Sequence, residues 1–132
     1  MKTTIKKIWP ALFIVLIIST SFKNDVSSKI TAAIQSGNSR ALAQYFHTTI
    51  DLTVLNNDGT YSRAQAQALL RDFFSNYPPV SFSINHQGAS RDASQYYIGT
   101  YRTANHGNFR FYFLVKSFSG QQRIQNMEIQ KQ

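Results

Sequence analysis

The chain is predicted to fold as one α+β domain, with helices packed on a mainly antiparallel sheet. Two observations carry this. Across residues 62–77 apolar side chains recur at helical spacing (Ala66, Leu69, Leu70, Phe73, Phe74, Tyr77), and Pro78-Pro79 closes the run. Past the prolines the spacing becomes two, in Val80, Phe82 and Ile84, then Tyr96 and Ile98, then Phe109, Phe111, Phe113 and Val115.

The elements follow in order. Residues 1–21 read as a secretory signal peptide: Lys2, Lys6 and Lys7 precede an apolar run over 11–18, and Ser19-Thr20-Ser21 supplies small residues for cleavage. An uncleaved anchor is the alternative, yet even 8–18 is shorter than the ~20 residues a spanning helix needs. The expected product is residues 22–132, a single domain with no membrane span, exported to a periplasmic or extracellular space. With no cysteine, neither a disulfide framework nor a thioether lipid anchor is available.

Asp25 is placed to cap a first helix with apolar positions Val26, Ile30, Ala33 and Ile34, which Gly37 ends. A second short helix is predicted over 39–46, burying Leu42, Tyr45 and Phe46. Residues 49–55 alternate, with Ile50, Leu52 and Val54 on one side, and Asn57-Asp58-Gly59 signals a turn. Ser62 and Gln65 form a capping box for the main helix. Four strands are then predicted over 80–87, 94–103, 108–118 and 122–130, with turns at Gly88, 105–108 and Ser119-Gly120.

The order α-α-β-α-β-β-β-β resembles the nuclear transport factor 2-like (cystatin-like) superfamily, a cone in which a curved sheet wraps around helices. The likeness covers residues 25–130. A narrower pattern sits inside it: Phe73-Phe74, Pro78-Pro79, Phe82, Ile84, His86, Gly88, Ser90, Tyr96, Ile98-Gly99, Gly107, Phe109-Arg110 and Tyr112. It looks like that of a family of small exported bacterial proteins known as a domain of unknown function. The resemblance implies the cone and export, and no established activity. In the wider superfamily the space between sheet and helices is often a ligand pocket, sometimes catalytic, and the outer sheet face often makes a dimer.

Register can be argued from turn lengths, since a slip of one residue exchanges the two faces. A four-residue turn over 104–107 sets Thr103 opposite Asn108, which places Ile98 opposite Phe113, Thr100 opposite Phe111 and Tyr96 opposite Val115. The other face then pairs Tyr101 with Arg110, Gly99 with Tyr112 and Tyr97 with Leu114. A three-residue turn over 119–121 brings Phe113 to Met127, Phe111 to Ile129, and Glu128 to Tyr112. The expected outer patch is Tyr97, Tyr101, Arg110, Tyr112, Leu114 and Glu128, residue types that protein interfaces concentrate. Homodimerisation, an envelope protein partner or a glycan would use it; the same pairs also suit a solvated sheet face.

Composition narrows the function. Removing the three leader lysines from fourteen Lys+Arg leaves eleven against six Asp+Glu, or +5, spread singly along the chain. Without a basic stripe, nucleic acid is not an expected partner. Three histidines at long spacing offer no zinc site, no cofactor motif is present, and there is no G-x-S-x-G, phosphate loop or paired-carboxylate motif. A binding or interaction module is the expected role, with a small apolar ligand in the cone or a partner on the outer face. Pocket candidates are His86, Tyr96, Phe73, Tyr77 and Phe111. The enzymatic alternative, of ketosteroid-isomerase or dehydratase type, takes His86 as base with Tyr96 or Tyr45 as donor. A lone histidine at the end of an apolar stripe also suits a hydrogen-bonded structural role.

Overall fold

The structure, a computed structural model, describes residues 26–132. The expected leader and the Asp25 cap lie outside the described residues. The elements are α1 (Val26–Gln35), α2 (Ser39–Ala43), β1 (Phe46–Val54), β2 (Asn57–Ser62), α3 (Arg63–Asn76), β3 (Pro79–Ala89), β4 (Gln95–Thr103), β5 (Asn108–Phe118) and β6 (Gln121–Lys131). The strands form one six-stranded sheet in the order β2-β1-β6-β5-β4-β3. All neighbours are antiparallel except β1 and β6.

Local chemistry sets the helix ends. Gly37, at φ +65°, closes α1: its N–H donates to Ile34 O at 3.0 Å, and Asn38 N–H donates to Ala33 O at 2.9 Å. The Asn38 side chain then caps α2 by accepting from Ala41 N–H at 2.9 Å. The capping box at α3 forms in both directions, Gln65 N–H to Ser62 Oγ at 3.2 Å and Ser62 N–H to Gln65 Oε1 at 3.0 Å. α3 lies on β1 and β2, while α1 lies on β3, tied by the Gln35 amide donating to Phe82 O at 3.0 Å.

The α+β cone is as predicted in class, with one strand more than the predicted order. Asn57-Asp58-Gly59 is not the turn but the start of β2. The chain reverses earlier, at Leu55-Asn56, where Leu55 takes φ +57° and Val54 pairs with Asn57. Phe46 does not end α2; it opens β1 opposite Ile124.

Two turns decide the faces. Between β4 and β5 the reversal takes five residues rather than four, because Thr103 joins the turn. Its hydroxyl donates to Gly107 O at 2.7 Å and accepts from His106 N–H at 2.9 Å, and Gly107 sits at φ +73°. Arg102, not Thr103, therefore faces Asn108, and every β4 side chain lies on the face opposite to the predicted one. Tyr97 and Tyr101 point inward, where they are 3% and 0% exposed, and Tyr96, Ile98 and Thr100 point outward.

Between β5 and β6 the turn has two residues, Ser119 and Gly120, both at positive φ (53° and 82°). That is one residue shorter than predicted, yet Phe113 still meets Met127 and Phe111 still meets Ile129. A one-residue bulge at Gln125 restores the register, since Leu114 pairs with Asn126 while Val115 pairs with Ile124. The bulge also puts Ile124 and Met127, three apart, on the same inner face.

Two further bulges shape β3. The first leaves Val80 63% exposed, and the second, at Asn85, turns His86 to the outer face beside Ile98 instead of inward with Phe82 and Ile84. Asn85 is held there by the Thr100 hydroxyl, which donates to its Oδ1 at 2.7 Å.

Aromatic rings fill the inside of the cone. Phe73 of α3 lies 5.2 Å from Phe109, 5.4 Å from Tyr101 and 5.9 Å from Phe111, while Tyr97 stacks on Phe113 at 5.0 Å. Gly99 makes room for this: a Cβ there would stand 2.6 Å from both Phe82 Cζ and the Ser83 backbone oxygen. Gly88, on the outer face, is covered by the Tyr96 ring instead, 2.7 Å from a built Cβ. Gly99→Ala is expected to cost about 1–3 kcal/mol, because backbone as well as ring must shift. Gly88→Ala should cost less, since the Tyr96 ring can swing into solvent; chemical unfolding of both variants checks the order.

Candidate functional site

Two surfaces merit a functional reading, the outer sheet face and the mouth of the cone. On the outer face, cross-strand rows run His86–Ile98–Tyr112–Glu128 and Gly88–Tyr96–Leu114–Asn126. Tyr96, Ile98, Tyr112 and Leu114 are all half-buried and adjoin one another across β4 and β5. Arg110 and Glu128 flank Tyr112, Arg110 two residues before it and Glu128 directly across. Among the described residues the ion pair formed is Lys116 with Asp92 at 3.3 Å, and neither Arg110 nor Glu128 forms one there. Burial, followed by the Glu128 charge, pushes the Tyr112 phenol above its ordinary range, with Arg110 opposing.

Of the expected outer patch, Arg110, Tyr112, Leu114 and Glu128 lie on that face. Tyr97 and Tyr101 do not, for the register reason given above; Tyr96 and Ile98 stand in their place. The Tyr101 hydroxyl instead donates to Tyr77 O, tying β4 to the end of α3.

The mouth of the cone is a cleft of about 410 Å³ where four segments converge. Leu55-Asn56 comes from the β1–β2 turn, Tyr77 from the end of α3, His106 from the β4–β5 turn, and Gln130-Lys131 from the end of β6. Phe109 forms its floor. Tyr77 lies 4.9 Å from Phe109 and meets His106 edge-on at 5.1 Å. The Lys131 ammonium lies 4.8 Å above the Phe109 ring and donates to His106 O. A smaller recess of about 170 Å³, lined by Asp72 and Phe73, adjoins this cleft across Leu55 and Tyr77.

The pocket candidates separate. Tyr77 lines the mouth and Phe73 the smaller recess, whereas Phe111 is wholly inside the core. His86 is exposed on the outer face and Tyr96 lies on the same face. Tyr45 packs beside β1, with β6 and β5 between it and β4. The trio His86, Tyr96 and Tyr45 is thus not assembled inside the cone, because the Asn85 bulge and the five-residue turn turn two of its members outward. Among the described residues no group of three His, Cys, Asp or Glu could hold a metal ion, and no helix is long and apolar enough to cross a membrane.

Pattern reading did not find the mouth residues His106, Gln130 and Lys131, which belong to separate segments and meet only through topology. One signal was present. Lys131 continues the inward pair Met127 and Ile129 at strand spacing.

Sequence comparison with curated proteins finds no match. Among solved structures, a DUF4783 family protein from Bacteroides uniformis is similar, at 33% identity and TM-score 0.75, over 82% of this chain and 98% of that one. Another from Bacteroides fragilis is similar at 33% identity and TM-score 0.72, over 79% of this chain and 96% of that one. At the level of fold alone, a cystatin-like domain of unknown function from Nostoc punctiforme aligns at 11% identity and TM-score 0.63, over 80% of this chain and 72% of that one. The architecture is the nuclear transport factor 2-like cone. The family model described as Domain of unknown function (DUF4783) matches residues 27–130, and the chain belongs to that family.

Proposed function

We propose that this protein is an exported, non-enzymatic interaction domain that associates with a second copy of itself through the outer face of β4, β5 and β6. The carrying observation is the run of Tyr96, Ile98, Tyr112 and Leu114 beside two charges, Arg110 and Glu128, that form no ion pair among the described residues. A two-fold interface is self-complementary, so one face bearing both signs can pair Arg110 of each copy with Glu128 of the other. Tyrosine and arginine provide area with a polar handle, the composition that interfaces favour. A small apolar ligand inside the cone is less well supported, since Phe73, Tyr101, Phe109 and Phe111 occupy that space.

Native mass spectrometry of residues 22–132 tests this. The expected wild-type mass is that of a dimer. Arg110→Glu sets two like charges against each other and should give a folded monomer, and Arg110→Glu with Glu128→Arg should restore the dimer. A monomeric wild type, or a single reversal that keeps the dimer mass, refutes the reading.

A further inference from the structure

We infer that the mouth of the cone is a binding site for a small organic acid, a carboxylate carried on a planar or apolar body. The cleft volume, about 410 Å³, is within the range of small-molecule sites. Its chemistry is one-sided. The polar residues lining it are Asn56, Tyr77, His106, Gln130 and Lys131, whose ammonium is the charged group, and no carboxylate side chain lines it. Asp72, which could neutralise the site, lines the separate recess beyond Leu55 and Tyr77.

Lys131 is seated rather than loose. By register it faces inward opposite Phe109, at a position where the preceding members of the stripe are Met127 and Ile129. Its ammonium rests above the Phe109 ring, donates to His106 O, and packs where Gly107 has no side chain; a Cβ on Gly107 would lie 3.1 Å from it. An ammonium has three donors, and His106 O takes one, which leaves two for an anion. The ring beneath orients the charge and keeps water off one side of it, which strengthens its attraction for a carboxylate. Leu55 and Tyr77, both half-buried, provide the wall for the apolar body. The Asn56 amide, at the same mouth, can donate to the second carboxylate oxygen.

Titration of labelled residues 22–132 with naphthalene-2-carboxylate, and separately with neutral naphthalene-2-methanol, followed by amide NMR, tests this. The carboxylate is expected to shift Leu55, Asn56, Tyr77, His106 and Lys131 and to bind at least about tenfold tighter than the alcohol. Lys131→Met should remove that preference, and Lys131→Arg should retain it. Lys131 is exposed, so both variants are expected to fold. Lys116→Met, which removes a lysine ion-paired with Asp92 at 3.3 Å and absent from the cleft lining, should leave carboxylate binding unchanged, which shows that the preference belongs to this site rather than to positive charge in general. Equal binding of acid and alcohol, shifts centred elsewhere, no shift up to about 10 mM, or a Lys131→Met variant that keeps the preference would each overturn the assignment.

Discussion

Phe111→Ala is expected to remove most of the stability of this domain. Phe111 is fully buried, with its ring 5.0 Å from Tyr101, 5.4 Å from Phe82 and 5.9 Å from Phe73. Truncation loses the transfer free energy of the ring and leaves a cavity that three rigid aromatic neighbours cannot collapse to fill, a combination that costs about 3–5 kcal/mol. Domains of this size are stable by only about 5–15 kcal/mol, so the variant should unfold at much lower urea, with a fall in Tm of about 12 °C or more. Phe118, half-buried at the sheet end and stacked on His47 at 3.7 Å, provides the comparison. Its truncation exposes a site that water can enter and should cost clearly less. Equal losses at Phe111 and Phe118 would mean that the ring cluster is not the stabilising core. Urea unfolding with fluorescence detection measures both.

Tyr101→Phe is expected to destabilise at neutral pH and to flatten the loss of stability at alkaline pH. The hydroxyl that donates to Tyr77 O disappears, at about 0.5–1.5 kcal/mol for the net loss of one partly buried hydrogen bond. Burial pushes the Tyr101 phenol far above its ordinary range, whereas in the unfolded chain it ionises near about 10. The folded state therefore holds the proton more tightly. Its contribution is fully present below pH ~10 and is lost as pH rises beyond that, at up to about 1.4 kcal/mol per pH unit for one proton. Tyr112, also raised, acts in the same direction. Unfolding free energy measured from pH about 8 to about 11.5 should fall more steeply for the wild type than for Tyr101→Phe. Parallel slopes would show that Tyr101 ionises as freely in the folded chain as in the unfolded one.

These two residues also show where pattern reading succeeds. Phe111 belongs to the strict alternation Phe109, Phe111, Phe113, Val115, which fixes an inner face because β5 carries no bulge that exchanges its faces. Tyr101 sits in a strand where residues on both faces are apolar or aromatic (Tyr96, Tyr97, Ile98, Tyr101), so alternation alone does not say which set is inside. Its face follows from turn length, and turn length follows from the Thr103 hydroxyl closing onto Gly107 O. Only the folded turn shows that bond.

The sequence by itself determined the α+β class, the capping box at Ser62 and Gln65, the end of α1 at Gly37, and the inner faces of β1 and β5. These are local properties: hydrophobic spacing, a side chain reaching three residues along the chain, a glycine free to take positive φ. The tertiary structure alone decided what depends on a count of one residue or on convergence. It placed β2, turned His86 outward at the Asn85 bulge, exchanged Tyr97 and Tyr101 for Tyr96 and Ile98 on the outer face, and gathered Tyr77, His106 and Lys131 at one mouth. The physical reason is the two-residue period of a strand. A single bulged or turn residue exchanges the faces at almost no change in hydrophobic pattern, so its energy lies in hydrogen bonds and packing between segments distant in sequence.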